Sequence, residues 1–125
     1  MKIKPTNSEL EILQIFWKKD LCTVREVNEE LSKEKGTEIG YTTTLKLMQL
    51  MHEKGLLSRE TGSRTHIYKA LVSHSKTSQN ILDNLIDTVF NGSATQLIMQ
   101  ALSSKQSSKE EIEMIKKYLD ELDKK

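Results

Sequence analysis

The sequence predicts a mainly α-helical protein that contains one small β-hairpin. Apolar residues recur at helical spacing in six separate stretches of the chain. Three of these stretches begin with a capping-box pattern, in which Thr6, Thr23 or Ser108 is followed three residues later by a glutamate. The one extended segment, Leu56 to Ala70, is interrupted by a Thr-Gly-Ser turn. Three helices and a hairpin therefore form an N-terminal lobe, and three further helices follow it.

The first two helices are predicted to build the core of this lobe. Their apolar residues form one stripe on each helix: Leu10, Leu13 and Trp17, widened by Ile12 and Phe16, in the first, and Val24, Val27 and Leu31 in the second. Trp17 is the only tryptophan, and we interpret it as a packing anchor. Gly36 ends the second helix, and Ile39 in the following link is predicted to be the first, minimal strand of a small sheet.

The third helix is predicted to run from Gly40 to Gly55, with a buried face and a polar face. The buried stripe consists of Thr44, Leu47, Met48 and Met51, and the polar face carries Thr42, Lys46, Gln49 and Glu53. Three threonines occupy the first turn, where free backbone N–H groups and the positive end of the helix dipole favour phosphate. A helix of this kind suits a DNA groove.

The hairpin that follows the third helix supports the same interpretation. It carries the basic side chains Arg59, Arg64, His66 and Lys69. A helix followed at once by a basic hairpin is the arrangement of a winged helix-turn-helix, in which the helix contacts bases and the hairpin contacts the phosphate backbone. We expect eight side chains to contact double-stranded DNA: Arg25, Tyr41, Thr42, Thr43, Lys46, Gln49, Arg59 and Arg64.

After Val72 the pattern becomes purely helical, with Ser73 to Ser75 as the joint. We therefore predict a winged-helix domain of residues 1–72 and a helical dimerisation domain of residues 73–125. The apolar positions expected to form the dimer interface are Leu82, Leu85, Ile86, Val89, Leu97, Ile98, Ile112, Ile115 and Leu119. About 50 residues cannot bury such broad apolar faces alone, so a second copy of the chain is the expected partner. The alternative is a helical lobe folded back on its own wing.

Composition and motifs exclude several other classes of protein. The 36% of hydrophobic and 30% of charged residues are ordinary for a soluble domain, and no apolar stretch is long enough for a membrane span or a signal sequence. Cys22 is the only cysteine, and Asp83 and Asp87 are most simply a solvated helix face, so no metal is expected. No catalytic or phosphate-binding motif is present. We expect a cytoplasmic protein without cofactor or enzymatic activity.

Several short segments resemble one family of regulators. They are Glu9, Glu11 to Leu13 and Trp17 in the first helix, Thr23 to Val27 in the second, Tyr41 to Thr43 and Lys54 to Leu56 around the third, Arg64 and Tyr68 in the hairpin, and Phe90 to Ser93 beyond it. In order and spacing they resemble the family of penicillinase and methicillin-resistance repressors, which also includes copper-transport repressors. The resemblance implies an antibiotic-resistance regulator that dimerises through its C-terminal helices.

The resemblance also implies a route of release from DNA. In the family a membrane-bound sensor protease responds to β-lactam, and the repressor is then cut within its dimerisation helices. The corresponding bond here joins Gln100 and Ala101, which differ from the family's Asn-Phe pair. A related repressor that serves another membrane-sensor system is equally consistent with this difference. The copper branch carries paired cysteines near its C-terminus, which this chain lacks, so copper sensing is not expected.

Together these observations predict a homodimeric repressor that binds a palindromic operator. The formal net charge of +1 is low for a DNA-binding protein, with 12 Lys and Arg against 10 Asp and Glu in residues 1–72 and 7 against 8 in residues 73–125. If the protein binds DNA, its positively charged side chains would therefore have to be concentrated at the surface that contacts DNA. A winged helix used as a protein-interaction module is the alternative.

Overall fold

The computed structural model describes residues 4–62, 64–104 and 107–124. Its elements in chain order are α1 (Asn7–Lys19), β1 (Leu21–Cys22), α2 (Val24–Lys35), α3 (Tyr41–Glu53), β2 (Leu57–Glu60), β3 (Ile67–Ala70), α4 (His74–Val89), α5 (Ala94–Ser104) and α6 (Lys109–Asp123). The predicted fold class is confirmed. Ser63 of the predicted hairpin turn, together with Lys105 and Gln106, lies outside the described residues.

The chain divides into two compact units, Met1–Ile81 and Leu82–Lys125, which we call the N-terminal and C-terminal units. The division falls within α4. The functional boundary after Val72 stays a prediction. None of the helices that the structure describes is long and apolar enough to cross a membrane.

Helix α1 lies at the centre of the N-terminal unit and packs against α2, α3 and the sheet. Its predicted capping box is confirmed, since the Thr6 hydroxyl accepts from Glu9 N at 3.2 Å and the Glu9 carboxylate accepts from Thr6 N at 2.8 Å. The buried residues of α1 are Glu9, Ile12, Leu13, Ile15 and Phe16, whereas Leu10 and Trp17 are half-buried. The buried face of α1 therefore includes Ile15, which the predicted stripe did not contain, because α1 packs against elements on several sides.

Trp17 connects α1 to the residues that follow β3, which agrees with its predicted role as a packing anchor. Its Nε1 donates a hydrogen bond of 2.9 Å to the carbonyl oxygen of Val72, and its ring meets that of His74 edge-to-face with centroids 5.0 Å apart. The predicted joint at Ser73 to Ser75 is partly wrong, because α4 already begins at His74. The Ser73 hydroxyl starts that helix by accepting from Lys76 N at 3.2 Å.

The sheet is antiparallel with strand order β1-β3-β2, and its first strand is not at Ile39 as predicted. Leu21–Cys22 pairs with β3, with Cys22 opposite the buried Tyr68. The backbone of Ile39 is instead satisfied by side chains, because its N–H donates to the Ser32 hydroxyl and its carbonyl accepts from the Asn28 amide.

Burial also raises the pKa of the Cys22 thiol, which keeps it protonated and inert near neutral pH.

The C-terminal unit contains well-capped helices but little core. The chain turns between α4 and α5 at Asn91 and Gly92, with φ angles of 55° and 82°. Ser93 caps α5, and Ser108 caps α6 as predicted. None of the residues of α5 and α6 is buried. These helices therefore expose apolar surface that a single chain does not cover.

Candidate nucleic-acid interface

The predicted division of α3 into a buried and an exposed face is confirmed. Thr44, Met48 and Met51 are fully buried against the core, while Leu47 is half-buried. The predicted DNA-contacting residues of the helix are all exposed: Tyr41, Thr42, Thr43, Lys46 and Gln49. The outer face of α3 is thus open to a ligand along three turns.

The first turn of α3 presents backbone N–H groups that have no partner in the described part of the chain. Gly40 is the N-cap residue and no side chain caps it. Its carbonyl accepts from Thr43 N and Thr44 N, which leaves the N–H groups of Tyr41 and Thr42 without an acceptor among the described residues. The Arg25 guanidinium lies over the Tyr41 ring, 6.0 Å from its centroid. Two amides and the positive end of a helix dipole are therefore available to stabilise an anion at this turn, and the Arg25 cation lies against a side chain of the same turn.

A depression of about 420 Å³ lies beside this turn. Its walls are formed by residues from α1 and α3: Ser8, Thr42, Thr43, Lys46, Leu47 and Leu50. It is a shallow surface feature, which can accept the edge of a larger ligand. Three of its six residues are among the predicted DNA contacts.

Two side chains of α2 hold the start of α3 in place, and the sequence analysis did not identify this role. The Asn28 amide donates to the carbonyl of Ile39 at 2.9 Å, to the carbonyl of Gly40 at 3.4 Å and to the hydroxyl of the buried Thr44 at 2.8 Å. The Ser32 hydroxyl accepts from Ile39 N at 3.0 Å. A signal was present, because Asn28 lies at the edge of the apolar stripe of α2, where a polar group needs a partner.

Replacing Asn28 by alanine is expected to lower the free energy of unfolding by about 1–3 kcal/mol, because three acceptors lose their donor in a partly buried site. The affinity for DNA should fall as well, since the first turn of α3 loses its brace. Chemical denaturation and a DNA titration measure the two effects. The neighbouring Glu29→Ala on the exposed side of α2 is the control, expected within about 0.5 kcal/mol of wild type. Equal stability of the two variants would contradict the prediction.

The other end of α3 is held by an ion pair with α1. Lys54, the C-cap residue, donates to both carboxylate oxygens of Glu9 at 2.8 and 2.9 Å, and only 4% of the Glu9 side chain is exposed. Gly55 follows at φ 82°, and the N–H of Leu56 returns to the carbonyl of Met51, which closes a Schellman turn. Burial alone raises the pKa of Glu9, but hydrogen bonds from Lys54 and Thr6 outweigh it, so this pKa is lowered.

The lowered pKa of Glu9 predicts an acid-sensitive contribution to stability. The contribution is present above the ordinary carboxyl pKa of 4.5 and is lost as the pH falls through the lower pKa of the folded state. We expect Glu9→Gln to be less stable than wild type at pH 7 and the difference to shrink below pH 4.5, as measured by denaturant titrations at each pH. Glu11→Gln is the control, because Glu11 pairs with Lys35 at 3.1 Å on the surface and such pairs contribute little. A difference independent of pH would contradict this assignment.

The hairpin places its two predicted DNA-contacting arginines in different surroundings. Arg64 is exposed in the connection between β2 and β3. Arg59 lies on β2 opposite Tyr68 and is partly buried, and its Nε has no hydrogen-bond partner among the described residues. Of the two arginines, Arg64 is thus the accessible one, whereas Arg59 is partly buried within the sheet.

Charged residues are distributed unevenly along this nearly neutral chain. Three carboxylates of α1 and α2 are paired with lysines: Glu9 with Lys54, Glu11 with Lys35 and Glu30 with Lys19. Residues 41–70, which include α3 and the hairpin, contain five Lys and Arg against two Glu, and one of the five, Lys54, is the partner of Glu9. The local excess of positive charge therefore falls on the elements predicted to meet DNA.

The comparisons with known proteins agree with this geometry. Residues 5–121 match the model of the penicillinase repressor family. The chain belongs to this family. The predicted resemblance is thereby confirmed over nearly the whole chain.

Relatives in the penicillinase repressor family cover the same length. The chain is 24% identical over 114 residues to the methicillin resistance regulatory protein MecI of Staphylococcus aureus (strain N315), covering 91% of both chains. It is 26% identical over 117 residues to the penicillinase repressor of Bacillus licheniformis, covering 93% of this chain and 89% of that one. The solution structure of the DNA binding domain of the repressor BlaI matches with a TM-score of 0.51 at 27% identity, covering 60% of this chain and 92% of the other.

The residues predicted for dimerisation in this family member are exposed or half-buried in the single chain. Large exposed fractions are found at Val89 (65%), Leu119 (56%) and Ile98 (50%). Gln100 and Ala101, the predicted cleavage pair, are exposed within α5, where their carbonyl groups also accept hydrogen bonds from the Ser103 and Ser104 hydroxyls. Helix α5 includes Ser103 and Ser104, although the polar sequence from Ser103 to Ser108 favours a loop.

Proposed function

We propose that this member of the penicillinase repressor family is a homodimeric transcriptional repressor that binds an inverted-repeat operator in double-stranded DNA. The observation that carries the proposal is the exposed face of α3. Its uncapped first turn offers amide donors beside Arg25, and Lys46 follows one turn later on the same face. Helix-turn-helix proteins read base edges in the major groove with the N-terminal residues of the recognition helix, while nearby amides and cations contact phosphates.

The hairpin supplies the second part of the proposed contact. Arg64 is exposed in the wing and can reach the phosphate backbone or the adjacent minor groove, with Arg59 at the edge of the sheet. MecI is named a methicillin resistance regulatory protein, the Bacillus licheniformis relative is named a penicillinase repressor, and the solved BlaI neighbour is a DNA-binding domain. These names support a role for this chain in regulating antibiotic resistance.

Dimerisation is supported by the uncovered apolar surface of the C-terminal unit. Two copies that cover each other's α5 and α6 would remove this surface from water, and a twofold axis would present two α3 helices to one face of DNA. Helix-turn-helix dimers place their half-sites about 34 Å apart. This spacing predicts an operator with twofold symmetry.

Release from the operator would follow cleavage of the Gln100–Ala101 bond by a membrane-bound sensor protease. The exposure of both residues is compatible with this step, but a protease binds an extended chain, so the end of α5 would first have to unwind. Cleavage there would separate α6 from the rest of the chain and weaken the dimer. The protein would act in the cytoplasm, where its DNA is.

Selection of duplexes from a randomised library with the full-length chain tests the function. We expect a palindromic consensus and an affinity that falls linearly with salt on a log–log scale. Lys46→Ala should cost about 1–3 kcal/mol and relax specificity at one position, whereas Arg64→Ala should weaken all sequences alike and lower the salt slope. Lys109→Ala, which removes a charge from α6, is the control. No consensus and no salt dependence would favour a protein-interaction module instead.

A further inference from the structure

The outer face of α3 is not uniformly polar. Leu50 exposes 45% of its surface, although its neighbours Met48 and Met51 are fully buried. Leu50 lies one turn after Lys46 and two turns after Thr43, so the three side chains share one side of the helix. They line the same depression, together with the half-buried Leu47. Two leucines and one lysine thus line the same depression on the surface proposed to enter DNA.

One exposed leucine on a soluble protein is ordinary, but the position of Leu50 distinguishes it. If α3 enters the major groove, this side chain is carried toward the bases with Lys46 beside it. The base edges in that groove are polar except at thymine, which presents its 5-methyl group. An exposed leucine in the groove is therefore complementary to a thymine methyl and to no other feature of the base edges.

We propose that Leu50, flanked by Leu47 and the Thr43 methyl group, is a specificity-determining residue that contacts the 5-methyl group of a thymine. Lys46 would contact a neighbouring base, where its ammonium suits the O6 and N7 acceptors of guanine. The proposal rests on the proposed function and refines it. It states that one thymine in each half-site is recognised through its methyl group rather than through hydrogen bonds.

The test replaces thymine by deoxyuridine, which removes the methyl group and leaves the base pairing unchanged. Duplexes selected with the full-length chain serve as probes, and each thymine is substituted in turn, in both half-sites at once. For wild type we expect one thymine position at which substitution by deoxyuridine lowers the affinity for the duplex. The affinity should fall about fourfold for each contacted methyl group that is removed. Leu50→Ala should bind the thymine duplex more weakly than wild type and lose this sensitivity to deoxyuridine.

Two variants separate recognition of the methyl group from a general weakening of DNA binding. Leu50→Met keeps an apolar side chain and should retain sensitivity to deoxyuridine. Gln49→Ala changes the adjacent exposed residue and is the control. Even if this variant binds DNA more weakly, the ratio of its affinities for the thymine and deoxyuridine duplexes should equal that of wild type. Since Leu50 is 45% exposed, its replacement should leave the fold intact, as circular dichroism would verify.

The outcomes distinguish this inference from the proposed function. A selected consensus at which no deoxyuridine substitution changes wild-type affinity would overturn the role of Leu50 and leave the repressor intact. If deoxyuridine lowers the affinity of Leu50→Ala as much as that of wild type, the role of Leu50 is overturned as well. A selection without any enriched sequence would overturn the proposed function, and this inference with it.

Discussion

Replacing Leu119 by glutamate is expected to convert the protein from dimer to monomer and to lower its operator affinity on the order of a hundredfold to ten-thousandfold. Leu119 lies on the apolar stripe of α6 with 56% of its surface exposed in the single chain. A carboxylate there would be buried without a partner in the dimer, whereas it would stay solvated in the monomer. Sedimentation velocity measures the first effect, and titrations with a full operator and a single half-site measure the second.

The single half-site should be bound equally by wild type and Leu119→Glu, because the winged helix is unchanged. Lys117→Gln is the matched control, since it alters the net charge by the same amount on the opposite side of α6. It should remain dimeric. A dimeric Leu119→Glu with full operator affinity would show that α6 is not part of the interface and would favour a helical region folded onto its own wing.

Trp17→Ala is expected to lower the free energy of unfolding of the full-length chain by about 3 kcal/mol, the lower end of the range for Trp→Ala because the side chain is half-buried. The change removes the packing of the ring against the core and its edge-to-face contact with His74. It also leaves the carbonyl of Val72 without the indole donor at 2.9 Å. Denaturation followed by circular dichroism measures the loss, which is a large fraction of the stability of a small domain.

Trp17→Phe separates the packing of the ring from its hydrogen bond. Phenylalanine retains an aromatic ring beside His74 but has no N–H, so we expect Trp17→Phe to lower the free energy of unfolding by about 1–2 kcal/mol. The further loss in Trp17→Ala is attributed to packing of the ring. An unchanged midpoint of denaturation in Trp17→Ala would contradict its role as an anchor. A loss in Trp17→Phe as large as in Trp17→Ala would assign the whole effect to the hydrogen bond.

Local patterns predicted the helices well because their causes lie within a few residues. The capping boxes at Thr6, Thr23 and Ser108 each require only a hydroxyl and a glutamate three residues later, and all three are confirmed. The buried and exposed faces of α3 follow from a repeat of 3.6 residues, which the sequence displays directly. The order of these elements, together with the basic hairpin, was sufficient to predict the winged helix.

The errors occurred where partners distant in sequence decide the outcome. Ile39 is suited to a strand, but its backbone groups are taken by Asn28 and Ser32, while Leu21 and Cys22 pair with a strand more than 40 residues away. Strand pairing depends on which segments the helices bring together, and no local pattern contains that information.

The sequence by itself determined the six helices, the basic hairpin, the family and the candidate faces for DNA and for a second chain. Only the tertiary structure decided how α3 is fixed, because both of its braces join residues far apart in the chain: Asn28 to Thr44 at its start and Glu9 to Lys54 at its end. In the sequence Glu9 is recognisable as a capping residue, but its burial and ion pair exist only once α1 lies against α3. A polar side chain becomes a brace when folding removes it from water and brings its partner within hydrogen-bond distance.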